Sequence, residues 1–188
     1  MAMRLSLFTD YSLRVLIFGA IKEGPFPLHE VADAYNVSRH HLVKVVNNLT
    51  KQGYLNTRRG RGGGIELAMR PEDIQIGRLV RGTETSSPLV ECFDLRTNTC
   101  PIHSCCGLKG AMSQALGAFY GTLDRYTLQD ILGGGRKESL KQILLVPRPP
   151  GQKVTLGADF AQVYESTSEM TAPLSPMVNG RLLGDMTI

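Results

Sequence analysis

The stretch Asn36-Val37-Ser38-Arg39-His40-His41-Leu42-Val43-Lys44-Val45-Val46-Asn47-Asn48-Leu49 decides the fold. Asn36-Val37-Ser38 reads as a turn, and Ser38 stands where it would cap a following helix. Leu42, Val45, Val46 and Leu49 recur at helical spacing on one face. The spacing predicts a helix from Arg39 to about Gln52, stopped by Gly53. Its first turns carry Ser38, Arg39, His40, His41 and Lys44, all able to donate to phosphates or base edges.

Upstream, Leu28–Tyr35 reads as a second helix with Leu28, Val31 and Ala32 inward. Gly24-Pro25-Phe26-Pro27 separates it from a helix over Asp10–Ile21, apolar at Leu13, Leu16, Ile17 and Ala20. Downstream, Tyr54–Thr57 and Ile65–Ala68 read as two short strands around Arg58-Arg59-Gly60-Arg61-Gly62-Gly63-Gly64. Helix, turn, helix and basic hairpin, in that order, make a winged helix-turn-helix. The fold class is therefore mainly α with a small β-hairpin wing, plus a long helix.

Residues 1–82 form the expected DNA-binding domain, ending in a short helix over Ile76–Gly82. Residues 83–107 form a cysteine loop. A long helix over Leu108–Ile131, within a segment 108–132, has apolar residues at 108, 112, 115/116, 119, 123 and 126, close to a heptad alternation. Residues 133–188 hold seven Gly and five Pro in 56 residues. They read as a poorly ordered tail with a short helix near Lys137–Leu145.

Charge supports a polyanion partner. Residues 39–70 hold seven Lys/Arg against Glu66 alone. That segment is +6 in a chain of +4, so the remainder is −2. A recognition helix enters the major groove by its N-terminal residues. Arginines on a glycine-rich tip suit a narrow minor groove or flanking phosphates. Arg58, Arg59 and Arg61 are the expected wing contacts. A nucleotide-phosphate loop is excluded, because no Gly-Lys-Ser/Thr follows the glycines and no helix opens there.

Of 188 residues, 42% are hydrophobic and 20% charged, an ordinary globular composition. No apolar run approaches membrane-spanning length and no secretory signal pattern opens the chain, so the expectation is cytoplasmic with no membrane partner. The four cysteines, Cys92, Cys100, Cys105 and Cys106, all fall within 15 residues. Such a cluster points to metal or redox chemistry rather than a disulfide framework. Three thiolates from one loop suit an iron–sulfur cluster or zinc, with His103 or a carboxylate as a fourth group. Paired C-x2-C zinc knuckles are missing. Adjacent Cys105 and Cys106 do not easily face one centre, so one of them reads as spare. A thiol switch and a structural zinc site stay open as alternatives. A small redox enzyme is disfavoured, since no C-x-x-C lies near a βαβ pattern and no cysteine has an evident base partner.

Leu7-Phe8-Thr9-Asp10-Tyr11-Ser12-Leu13-Arg14, Val37–Lys44, Arg59–Leu67, the cysteine loop running into Leu108-Lys109, and Tyr126–Ile131 together resemble the Rrf2 family of winged-helix regulators. The resemblance covers residues 3–132. It implies a homodimer joined through the long helix, a repressor bound to palindromic operator DNA, and a 4Fe–4S or 2Fe–2S cluster. Its position before Gly107-Leu108-Lys109 implies Cys106 as the last ligand, with Cys92 and Cys100, leaving Cys105 extra. It implies Asp10 of the partner subunit as the candidate fourth ligand, with His103 competing; by residue type Asp10 equally suits a helix cap. Within the family the chain looks like the nitric-oxide-sensing repressors, which leave DNA on cluster nitrosylation. A regulator of cluster supply or oxygen is the alternative from the same family.

Overall fold

The computed structural model describes residues 5–60, 62–84 and 88–146, with two short backbone pairs further on. The chain divides into two units, Met1–Arg148 and Pro149–Ile188. In the second, Met177–Val178 pairs antiparallel with Arg181–Leu182. The rest of the expected tail from residue 147 lies outside the described residues.

Helix α1 spans Leu7–Lys22 and is capped by Ser6, whose hydroxyl accepts the Thr9 N–H at 3.1 Å. Asp10 is therefore not the cap; it sits in the first turn, its N–H bonded to the Ser6 carbonyl at 3.0 Å. Helix α2 spans Leu28–Tyr35 and α3 spans Arg39–Lys51. The turn between them bends at Asn36, in the left-handed region at φ 52°. Val15, Leu16, Phe18, Ile21, Val31 and the α3 stripe Leu42, Val45, Val46 and Leu49 are buried together. Phe18 meets Phe26 edge to face at 5.2 Å.

Strands β1 (Leu55–Arg58) and β2 (Gly64–Leu67) form the expected hairpin, with Leu55 opposite Leu67. Phe26 adds a third backbone to it: its N–H donates to Ile65 at 2.9 Å and its carbonyl accepts from Ile65 at 2.8 Å. A Cβ at Gly64 would lie 2.9 Å from the Phe26 carbonyl oxygen, so this close approach requires glycine.

Helix α4 spans Ile76–Thr83. The long helix expected over 108–131 is instead two: α5, Gly107–Leu123, and α6, Leu128–Leu132. The break has a clear cause. Thr127 and Asp130 form a capping box, the Thr127 hydroxyl accepting from the Asp130 N–H at 3.2 Å and the Thr127 N–H donating to the Asp130 carboxylate at 2.8 Å. The freed backbone pairs with the segment leading into α4: the Ile76 N–H donates to Tyr126 at 2.9 Å and the Leu128 N–H to Ile74 at 2.8 Å. Leu128 and Leu132 then enter the core.

Helix α7, Arg136–Leu144, forms where a short helix was expected at the head of the tail. Leu140, Leu144 and Leu145 pack on the core, and Lys137 and Lys141 both face Glu23 after α1. The tail character thus does not extend to these residues, because their apolar side chains find α1 and α6. Among the described residues, no helix is long and apolar enough to cross a membrane.

Candidate nucleic-acid interface and thiol loop

The α3 core stripe turns the opposite face outward. Ser38, Arg39, His40, His41 and Lys44 are all exposed. Ser38 occupies the N-cap position, but its side chain makes no cap bond. Its carbonyl accepts from His41 and Leu42 at 3.1 and 3.3 Å, leaving the hydroxyl outside the helix. Among the described residues Arg39 has only a 3.7 Å pairing with Asp33, both well exposed. His41 stacks on Tyr11 at 6.2 Å, and His40 lies 6.1 Å from His41.

The same face carries Val43 and Asn47, which the sequence reading did not single out; Val43 is 46% exposed. Their signal was helical spacing from His40 and Lys44, where an uncharged residue draws no attention. Asn reads adenine edges and an apolar side chain meets a thymine methyl.

On the wing, Arg58 pairs with Glu66 at 3.5 Å while staying largely exposed. Arg59 is exposed and without an ion pair among the described residues. Arg61 lies outside the described residues. Gly60 and Gly62, at φ 98° and 76°, turn the tip tightly, and the Gly63 N–H closes on the Gly60 carbonyl at 3.0 Å. The glycines therefore shape the tip rather than merely loosen it.

The thiol loop runs from α4 to α5. Cys92 sits in the 3₁₀ turn Glu91–Phe93, and Cys106 occupies the N-cap position of α5 without a side-chain cap bond. All four cysteines are free thiols; Cys92, Cys100 and Cys106 are half-buried and Cys105 is exposed. The Cys105 thiol faces the Ile102 carbonyl at 3.5 Å. Glu91, also missed in the sequence, ties the loop across its widest gap. Its carboxylate accepts from the Thr99 N–H at 2.6 Å and the Thr99 hydroxyl at 2.7 Å. That draws the residues beside Cys92 and Cys100 toward one another. The Thr99 hydroxyl, then its N–H, holds the Glu91 carboxyl below the usual range.

The start of the loop is fastened to α1. The Ser6 N–H donates to Glu84 at 2.6 Å, and the buried Thr9 hydroxyl donates to that of Thr83 at 2.9 Å. Asp10, one residue on, forms a two-point pair with Arg14 at 2.8 and 3.1 Å. The Arg14 guanidinium in turn lies 5.5 Å from the Tyr35 ring, at the end of α2. Burial pushes the Tyr35 phenol up to about 12, so it stays neutral. Among the described residues, no three His, Cys, Asp or Glu side chains converge at metal-binding distance. The loop thus carries thiols whose chemistry suits a metal or cluster, while the single chain does not bring three donor side chains together.

Known proteins match this chain. The family model for Rrf2, an iron-dependent transcriptional regulator, covers residues 5–134. The chain belongs to the Rrf2 family. The HTH-type transcriptional regulator NsrR of Bacillus subtilis is 47% identical to this Rrf2 chain over 144 residues, 76% of the chain and 97% of that protein. The regulator of the same name from Halalkalibacterium halodurans is 44% identical over 149 residues, 78% of the chain and all of that protein. Among solved structures, CymR, the global cysteine regulator of B. subtilis, aligns with a TM-score of 0.54 at 25% identity, over 69% of this chain and 96% of that one. IscR of T. potens shares the fold, with a TM-score of 0.57 at 22% identity over 85% of this chain and 98% of that one. This Rrf2 chain is thus a winged-helix transcriptional regulator.

Proposed function

We propose that this regulator is a nitric-oxide-sensitive repressor that binds operator DNA as a homodimer and carries an iron–sulfur cluster. The observation that carries the reading is the position of the thiol loop, between the winged helix, which ends in α4, and α5. Helix α5 has no buried residue in the single chain, and Leu108 is 66% exposed. Packing α5 against a second copy covers that face, each leucine-sized side chain contributing about 1.5–3 kcal/mol.

Cys92, Cys100 and Cys106 would hold the cluster, with Asp10 of the second copy or His103 completing the set. The exposure of Cys105 supports its role as the spare thiol. When bound, the cluster supplies iron open to attack by nitric oxide. The chain's own part is mechanical. The Ser6–Glu84 and Thr9–Thr83 bonds carry loop movement into the first turn of α1. Tyr11 of α1 stacks on His41 of α3. Paired half-sites demand a fixed helical phase, so a small shift of α3 loses affinity.

The test is anaerobic purification with visible absorption, iron and sulfide per chain, then operator binding before and after nitric oxide. The reading expects a charge-transfer band, matched iron and sulfide, and loss of operator binding on treatment. Unchanged operator affinity after complete reaction would overturn it. A cluster-bearing protein insensitive to nitric oxide, with His103 as ligand, would favour the supply or oxygen sensor instead.

A further inference from the structure

At the opposite end of α3 from its base-reading residues, the helix terminus, the first residues of the wing and α4 enclose a cavity of about 450 Å³. Its size falls within the usual range for small-molecule sites. Tyr54 lines it and is 6% exposed. The Tyr54 hydroxyl makes no hydrogen bond among the described residues. Arg78 lines the same cavity, exposed and without an ion pair among the described residues. Burial raises the Tyr54 phenol, with the Arg78 charge opposing, so the hydroxyl remains a donor.

Two other polar side chains at the rim, Asp73 and Gln52, are engaged. Asp73 accepts from Arg70 at 3.0 Å, and the Gln52 amide donates to Asn48 at 2.5 Å and to the Gly82 carbonyl at 3.4 Å. What faces the cavity is thus a donor pair, a guanidinium and the hydroxyl of a buried tyrosine, beside Gln75 and Met69. We propose that this cavity binds a small carboxylate-bearing metabolite, its carboxylate held by Arg78 and the Tyr54 hydroxyl.

The planar guanidinium fork matches a singly charged carboxylate, whereas a dianionic phosphate would bring excess charge close to Asp73. DNA is the less suited occupant: the 13 residues of α3 extend over about 20 Å, and Ser38, Arg39, His40 and His41 stand at the far end. A ligand here bridges α3, the wing and α4, so it bears directly on how the wing sits against the recognition helix.

The test is thermal unfolding of the full-length, cluster-free chain with lactate, with glutamate, and with inorganic phosphate at matched ionic strength. Neither operator nor cluster enters, so the result is independent of the proposed function. At least one carboxylate is expected to raise the midpoint saturably by about 3 °C. That shift is expected to vanish in Arg78→Gln and to fall at least by half in Tyr54→Phe, which keeps the buried ring. The unliganded midpoints of both variants show that they fold. No shift with either carboxylate, an equal shift with phosphate, or a shift undiminished in either variant overturns the proposal.

Discussion

Arg81 of α4 grips Asp124, the C-cap of α5: its Nη1 donates to Asp124 Oδ1 at 2.7 Å, and a second nitrogen meets the other carboxylate oxygen alongside. The guanidinium also lies 4.8 Å from the Tyr120 ring centroid. A Cβ at Gly77 would stand 2.8 Å from the Asp124 backbone nitrogen and run into its carboxylate. The joint between the DNA-binding domain and α5 thus needs a glycine on one side and a charge pair on the other. Gly77→Ala is expected to destabilise the protein by about 1–3 kcal/mol through overpacking, read by denaturant unfolding. A gain in stability from better helix propensity alone would contradict the close packing.

Asp124→Asn tests the same joint by pH. The Arg81 hydrogen bond holds the Asp124 carboxyl below its ordinary value. A depressed folded-state pKa means stability present above the unfolded value, near 4, and lost as pH falls through the folded one. The variant is expected to melt below wild type at pH 7 and to converge on it in strong acid. Parallel curves across that range would show that the pair contributes nothing.

Thr50 Oγ1 is buried without a hydrogen-bond partner among the described residues. Thr50→Val keeps the shape and removes an unsatisfied polar atom, which costs about 1–3 kcal/mol to bury. A rise of several degrees in thermal midpoint is the expected outcome. A fall would mean that the hydroxyl finds a bond in solution.

On the proposed DNA face two kinds of contact are expected. Lys44→Ala and Arg59→Ala are expected to weaken binding uniformly across sequences and to reduce the salt slope by about 1 each. Asn47→Ala is expected to relax base preference at one position, by about 1–3 kcal/mol. Competition binding with single-base operator variants distinguishes them. A uniform loss from Asn47→Ala would remove it from base reading.

Glu91 holds the loop at neutral pH. Its depressed carboxyl keeps the Thr99 bonds above its unfolded pKa and releases them only as pH falls through the folded one. Glu91→Ala is expected to lower iron and sulfide retained per chain at pH 7, with Glu91→Gln, which still offers one acceptor oxygen, falling between. Equal retention in all three proteins would show that the clamp does not position Cys92 and Cys100.

Much of this was legible without coordinates. The α2–α3 turn, the Leu42-Val45-Val46-Leu49 stripe and the glycine-rich hairpin are local patterns, and each appears where its residues predict. The capping box Thr127-x-x-Asp130 is also local, but the apolar spacing of the long helix runs through it and masks it. Val43, Asn47 and Glu91 were missed because their residue types are common on any surface, and only neighbours in space give them meaning.

The sequence by itself determined the elements of this protein and their order, because helix caps, breakers and periodicity act within a few residues. It also determined the family, through motifs that recur in register. Only the tertiary structure decided where the chain closes on itself. Phe26 pairs with Ile65, Arg81 with Asp124, Glu84 with Ser6, and Tyr54 opens into a cavity beside Arg78. These partners lie tens of residues apart, and which of many equivalent charges or amides meet depends on how the packed helices place them.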